Sequence, residues 1–147
     1  ELDVSNLKKL KQLFCAYNSI EKLELKSEDL IDLNCQNNNL KSLIVKKTRK
    51  LQQCICSHNE LTSLKLQGIQ EPGYVNCSYN ELQKLKIVDS NLNYLYCYNN
   101  QLRNLDVSRL IKLKGLDCTN NQLVKLDLRG LNMLKYLYYD SNVECIK

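Results

Sequence analysis

Chemistry in this chain would have to come from thiols, from one imidazole or from phenols: it holds eight cysteines, a single histidine and nine tyrosines. The densest grouping is Cys54-Ile55-Cys56-Ser57-His58. A thiolate beside an imidazole is a nucleophile with its base, and two thiols with an imidazole make up most of a zinc ligand set. The pattern around this stretch argues against both uses. Cys54 and Cys56 occupy inward positions of an extended segment, whereas His58, past its end, is expected to face out. No C-x-x-C pair accompanies them, and four glycines in the whole chain leave no phosphate-binding loop. No catalytic residue, no metal and no cofactor are therefore expected, and the chain is not read as an enzyme.

The thiols are positioned by a repeat. The stretch from Leu92 to Val107 reduces to L-x-x-L-x-C-x-x-N-x-L-x-x-L-x-V, and aligning Cys97 with its counterparts gives Cys15, Cys35, Cys56, Cys77, Cys118 and, in the last copy, Tyr139. Successive steps are 20 or 21 residues. A fixed period of this size marks a solenoid, because one unit buries its apolar face only against its neighbours. The repeated cysteine stands where an inward apolar residue is needed, and free cysteine behaves as a small hydrophobe. A stack of buried free thiols is expected rather than a disulfide framework.

Numbering the copy from its first leucine puts the cysteine at slot six and an asparagine at slot nine: Asn18, Asn38, Asn59, Asn80, Asn100, Asn121 and Asn142. Where the chain leaves a strand its backbone groups still need partners. An inward amide side chain has the donors and acceptor to bridge consecutive turns, so all seven asparagines are assigned to architecture. Slots four and six alternate with polar residues, as do slots fourteen and sixteen in Leu105-Asp106-Val107 and Leu126-Asp127-Leu128. Period two means two extended segments per turn and two parallel ladders. No window has a helical period. The fourth copy places Pro72 in the first slot, and the seventh puts Glu144 where leucine is expected. Residues 1–147 read as one repeat domain of about seven turns, and the opening Glu1-Leu2-Asp3-Val4 resembles the tail of an earlier unit rather than a signal peptide.

The phenols follow the repeat too. Slots three, five, seven and eight are expected to face solvent on the first strand. They hold Tyr17, Tyr74, Tyr79, Tyr94, Tyr96, Tyr98, Tyr136 and Tyr138, together with Phe14, His58 and Asp117. Only Tyr139 is expected inside. Adjacent strands are about 4.8 Å apart, so Tyr74, Tyr94 and Tyr96 should touch. None of the 21 lysines and arginines occupies these slots, while Asp32, Asp117 and Asp140 do. Aromatics suit any exposed sheet, but slot fifteen of the second strand reads Glu24, Ile44, Lys65, Lys86, Asp106 and Asp127, with no aromatic. The asymmetry points to an aromatic interaction face, since tyrosine offers rigid amphipathic contact area.

Composition excludes other classes. A net charge of +5 is mild, and the one dense basic run, Lys46-Lys47-Thr48-Arg49-Lys50, lies away from the aromatics, which disfavours nucleic acid. No run approaches the roughly 18 apolar residues of a membrane span. The motif L-x-x-L-x-C-x-x-N-x-L followed by L-x-x-L-D-L/V resembles the leucine-rich repeat superfamily, and its 21-residue spacing is similar to the nested bacterial type sometimes called IRREKO, found in internalin-like surface and secreted proteins. The resemblance implies a right-handed curved solenoid with a parallel β-sheet on its concave face and a protein or peptide partner on that sheet; it favours a secreted or cell-surface protein and leaves an intracellular one open. Two other readings stay open: carbohydrate binding by the tyrosines, and a structural spacer within a longer surface protein.

Overall fold

The computed structural model describes residues 2–4 and 6–147; Glu1 and Ser5 lie outside them. The described residues form a parallel β-solenoid of about six full turns and a shortened seventh, with no helix. In chain order the strands are β1 (Gln12–Phe14), β2 (Lys22–Leu25), β3 (Asp32–Asn34), β4 (Ser42–Val45), β5 (Gln53–Ile55), β6 (Ser63–Gln67) and β7 (Gly73–Asn76). They continue as β8 (Lys84–Val88), β9 (Leu92–Tyr96), β10 (Gly115–Asp117), β11 (Lys125–Asp127), β12 (Tyr136–Tyr138) and β13 (Glu144–Ile146).

The first strands of all seven turns join into one sheet, ordered β1-β3-β5-β7-β9-β10-β12. The second ladder is discontinuous. It consists of three separate pairs, β2-β4, β6-β8 and β11-β13. Leu105-Asp106-Val107, expected as a strand, is not one: Leu105 and Val107 are buried as the pattern requires, but Asp106 Oδ1 accepts from Ser108 N–H at 3.0 Å and Ser108 Oγ–H at 2.7 Å. Asp127, at the same slot, makes the same bond to Arg129 N–H at 3.1 Å and still pairs in β11, so this bond closes the turn that follows the segment and does not by itself undo a strand.

Leucines from both sides of each turn meet in one core with the thiols, and Cys35, Cys54, Cys56, Cys77, Cys97 and Cys118 are fully buried. All eight cysteines are free. Burial pushes the Cys118 thiol up to about 12 and raises Cys35 and Cys97 well above their usual value. A hydrogen bond with Cys54, reinforced by burial, does the same to Cys56. Protonated thiols of this kind are packing atoms rather than nucleophiles.

Five asparagines stitch the turns as expected. Asn59, for example, donates through Nδ2 to Cys35 O at 3.0 Å in the turn before and to Cys56 O at 3.1 Å in its own, while Oδ1 accepts from Leu40 N–H at 2.9 Å. Asn38, Asn80, Asn100 and Asn121 repeat this arrangement. The Asn18 side chain donates within its own turn, to Cys15 O and Ala16 O.

Asn142 departs from the expectation: it is exposed and makes none of these bonds. The reason is a shortened seventh turn. There Cys145 takes the register of Leu126, Val143 fills the buried place assigned to Glu144, and Glu144 faces solvent at the start of β13. Pro72 is likewise exposed; Ile69 is buried in that part of the core, and a Cβ on Gly73 would meet its Cγ2 at 3.0 Å.

Candidate functional site

Register in the long sheet brings slots three and five into two straight columns. Gln12, Asp32, Gln53, Tyr74, Tyr94, Gly115 and Tyr136 align in one, and Phe14, Asn34, Ile55, Asn76, Tyr96, Asp117 and Tyr138 in the other. Alternation turns both columns away from the leucine and cysteine side. Tyr136 and Tyr138 are more than half exposed, at 56% and 58%, while Tyr74, Tyr94 and Tyr96 are half-buried by one another and by their neighbours.

The rings do not meet straight across the rungs. Tyr74 packs diagonally on Tyr96, with centroids 5.5 Å apart and planes tilted by 43°. Tyr94 leans the other way, over Gly115 of the next rung. A second aromatic strip runs along the loop that ends each strand. His58 stacks on Tyr79 at 4.2 Å and 15°, and Tyr79 meets Tyr98 edge-on at 5.3 Å and 77°. Offset and edge-on pairs of this kind are the favourable ones. Burial, and after it the neighbouring tyrosines, raise the pKa of Tyr74 and Tyr96 above the ordinary phenol value. Near neutral pH both hydroxyls are protonated donors.

That loop has an unusual backbone. Slot eight is left-handed in six turns, at Tyr17, Asn37, His58, Tyr79, Asn99 and Asn120. Asparagine visits this region readily; a tyrosine or histidine there is held by its surroundings at a cost of about 1 kcal/mol or more. Slot seven, expected to face solvent, is mixed: Ser57 and Ser78 are buried, while Gln36, Tyr98, Thr119 and Asp140 are partly exposed. Where slot five is polar its side chain braces this loop, and in the turns of Phe14, Ile55 and Tyr96 the same loop forms without that bond. Asn76 Oδ1 accepts from Ser78 N–H at 3.1 Å and Oγ–H at 2.6 Å, and Asp117 Oδ1 does the same for Thr119 at 3.1 and 2.7 Å. Each bonds the backbone two residues on, closing an Asx turn that lifts the chain off the sheet.

No protein-family model matches the sequence, and no curated protein matches it. Among solved structures the chain is similar to the functional domain of InlJ from Listeria monocytogenes, which includes a cysteine ladder. The two share 31% sequence identity at a TM-score of 0.84, over 96% of this chain and 32% of that one. The chain has the leucine-rich repeat fold. It spans about a third of the length of the internalin it resembles.

Within this leucine-rich repeat coil, the expected site residues separate into groups. Tyr74, Tyr94, Tyr96, Tyr136 and Tyr138 share the outer face of rungs four, five and seven, with His58, Tyr79 and Tyr98 along its border. Phe14 and Tyr17 are exposed, at 65% and 76%, but stand on the first rung, three rungs from Tyr74 and so about 14 Å away. Asp117 lies among the tyrosines with one carboxylate oxygen committed to its turn. Asp140 serves the backbone as well: its two oxygens accept from Asn120 N–H at 2.9 Å and Asn121 N–H at 3.2 Å.

Gly115 was missed in the sequence, although it is the one slot-three residue without a side chain and so the one place where a neighbouring ring has room to lie. Cys54 and Cys56 point into the core while His58 stacks outside on Tyr79. Among the described residues no three histidine, cysteine, aspartate or glutamate side chains gather as a metal would require.

Proposed function

We propose that the chain is a non-catalytic recognition module that binds a protein or peptide on the tyrosine-lined outer face of its long sheet. The observation that carries this reading is the sheet-borne cluster of Tyr74, Tyr94, Tyr96, Tyr136 and Tyr138, held outward on one rigid surface without a lysine or arginine in either column. Rigid rings lose little entropy on binding, and tyrosine is among the residues enriched at the centres of interfaces. Likeness to an internalin domain supports a protein-interaction module of a secreted or surface protein.

The experiment is selection of a displayed peptide library on the wild-type chain, with winners re-measured on Tyr94→Ala, Tyr96→Ala and Tyr136→Ala. Each variant should keep the fold, because none of these rings is in the core, with at most about 1 kcal/mol lost where Tyr96 gives up its packing on Tyr74. At least one should weaken the selected peptide by about thirtyfold, the equivalent of about 2 kcal/mol. Equal affinity for all three variants would place the site elsewhere, and a glycan array that lights up while the library yields nothing would favour carbohydrate.

A further inference from the structure

The second strands carry a groove that the tyrosine face does not use. Its volume is about 590 Å³, and its walls are residues of β4 and β6 with the loops that follow them. These strands belong to consecutive turns, yet no ladder joins them; β4 pairs with β2, and β6 pairs with β8. The two turns are bonded just before the strands, where Glu60 N–H donates to Leu40 O at 3.0 Å, and are close again after them, where a Cβ on Gly68 would stand 3.3 Å from Thr48 O; no ladder bonds run between. A strand inside a parallel ladder bonds to both neighbours through alternate residues. Here each strand therefore has one side whose amides and carbonyls lack a strand partner, and the groove lies along that gap.

The groove has an aliphatic wall in Leu43, Ile44 and Val45 and a cationic rim. It absorbs most of the basic run of the sequence, since Lys46, Lys47 and Arg49 line it together with Lys41 and Lys65. Asp89 is the one acid among the lining residues. Lys46 and Lys41 have carboxylates at 3.8 and 3.9 Å, from Glu24 and Glu60. Among the described residues Lys47, Arg49 and Lys65 make no ion pair, and the register sets Lys86 directly beside Lys65. Like charges on adjacent strands repel, so this rim is electrostatically incomplete without an anion.

We propose that this groove is a second binding site, which takes an acidic peptide segment in extended conformation. Carboxylates on the peptide would meet Lys47, Arg49 and Lys65, its main chain would use the backbone groups left by the missing β4-β6 ladder, and its apolar side chains would lie on Leu43 and Ile44. A strand edge recognises a main chain by alternating donors and acceptors. An anionic polysaccharide could answer the charge but not that pattern, which is why a peptide is the occupant. The site is independent of the tyrosine face.

The test uses a fluorescently labelled oligoglutamate peptide and the whole chain, with binding followed by anisotropy at low ionic strength. Saturable binding is expected. The variant combining Lys47→Glu, Arg49→Glu and Lys65→Glu, all exposed positions whose change leaves the core alone, should bind at least about tenfold more weakly. Methylating alternate peptide amides should also weaken binding, and Tyr94→Ala should leave it unchanged. Absence of saturable binding overturns the proposal, and so does an equal loss on reversing Lys8, Lys9 and Lys11 elsewhere on the surface. If the methylated peptide, or heparin of matched charge, binds as well as the parent, the groove reads charge alone and is not a peptide site.

Discussion

The ring of Tyr94 lies where the side chain of residue 115 would be: a Cβ placed on Gly115 would stand 2.7 Å from Tyr94 Cδ1 and 3.1 Å from Cε1. Glycine in a strand interior weakens the strand, and here its lack of a side chain seats a ring of the candidate surface against the backbone of the next rung. Gly115→Ala should therefore disturb the surface and spare the fold. The expected change in unfolding free energy is under about 1 kcal/mol, because the alanine recovers backbone entropy as it displaces the ring. The Tyr94 ring resonances should shift, and peptides selected on the wild type should lose affinity. A loss of stability above about 3 kcal/mol would show that the sheet, rather than the ring, gives way.

Much of this fold was legible in the residues. Leucine, cysteine and asparagine recur at fixed slots because each turn presents the same environment, so the core, the long sheet and the direction of the tyrosines could be read from spacing alone. What could not be read was local detail. Asp106 and Asp127 share a slot and the same bond to a residue two further on, yet only Asp127 lies in a paired strand, so neither spacing nor that bond tells the two apart. The deletion after Asn142 hid the register of Cys145 for a related reason: the period sets buried positions only while turns keep their length. Contact between Tyr74 and Tyr96, rather than Tyr74 and Tyr94, follows from the choice of rotamer, which slot counting does not contain.

The left-handed aromatic residues give a test of what the rings are for. Tyr17 has a φ of 57°, is 76% exposed and has no ring partner among the described residues. Tyr17→Asn should stabilise the chain by about 1 kcal/mol, by relieving backbone strain without losing contacts. Tyr79, at a φ of 51°, carries the same strain but packs on both His58 and Tyr98. Tyr79→Asn exchanges one effect for the other and should be within about 0.5 kcal/mol of neutral. Urea midpoints of the two variants measure the difference. A destabilised Tyr17→Asn would mean that the ring contributes packing the structure does not show.

Asp140 substitutes for a backbone. In the earlier turns the slot-eight amide donates to the slot-seven carbonyl of the turn that follows, as His58 N–H does to Ser78 O at 3.1 Å. In the sixth turn the equivalent amides of Asn120 and Asn121 are taken by the Asp140 carboxylate. Charge-assisted bonds of this sort are worth more than neutral ones, although partial exposure tempers the gain. Asp140→Ala should cost about 1–2 kcal/mol, and Asp140→Asn, which keeps one acceptor, about half of that. Hydrogen exchange at Asn120 and Asn121 should accelerate in the alanine variant. Unchanged protection there would mean that water replaces the carboxylate without cost.

The thiol ladder makes stability depend on alkaline pH in a definite direction. Burial raises Cys15, Cys35, Cys77, Cys97 and Cys118 above the ordinary thiol value of 9.0, and the hydrogen bond with Cys54, with burial added, raises Cys56. Below 9.0 both folded and unfolded chains keep these protons, so the contribution is fully present. Above it the unfolded chain releases protons that the folded chain retains, and stability falls as pH climbs toward the folded values, about 12 for Cys118. A fully buried thiol contributes a slope of at most about 1.4 kcal/mol per pH unit once the unfolded chain has released its proton. Urea unfolding should be flat from pH 7 to about 8.5 and then decline steeply, with a slope in Cys97→Ala shallower by about one thiol's share. Cys145, the least buried of the eight, should be the first thiol to react with a labelling reagent at neutral pH. A stability profile that stays level through pH 11, or rapid labelling of every cysteine, would contradict a protonated, buried ladder.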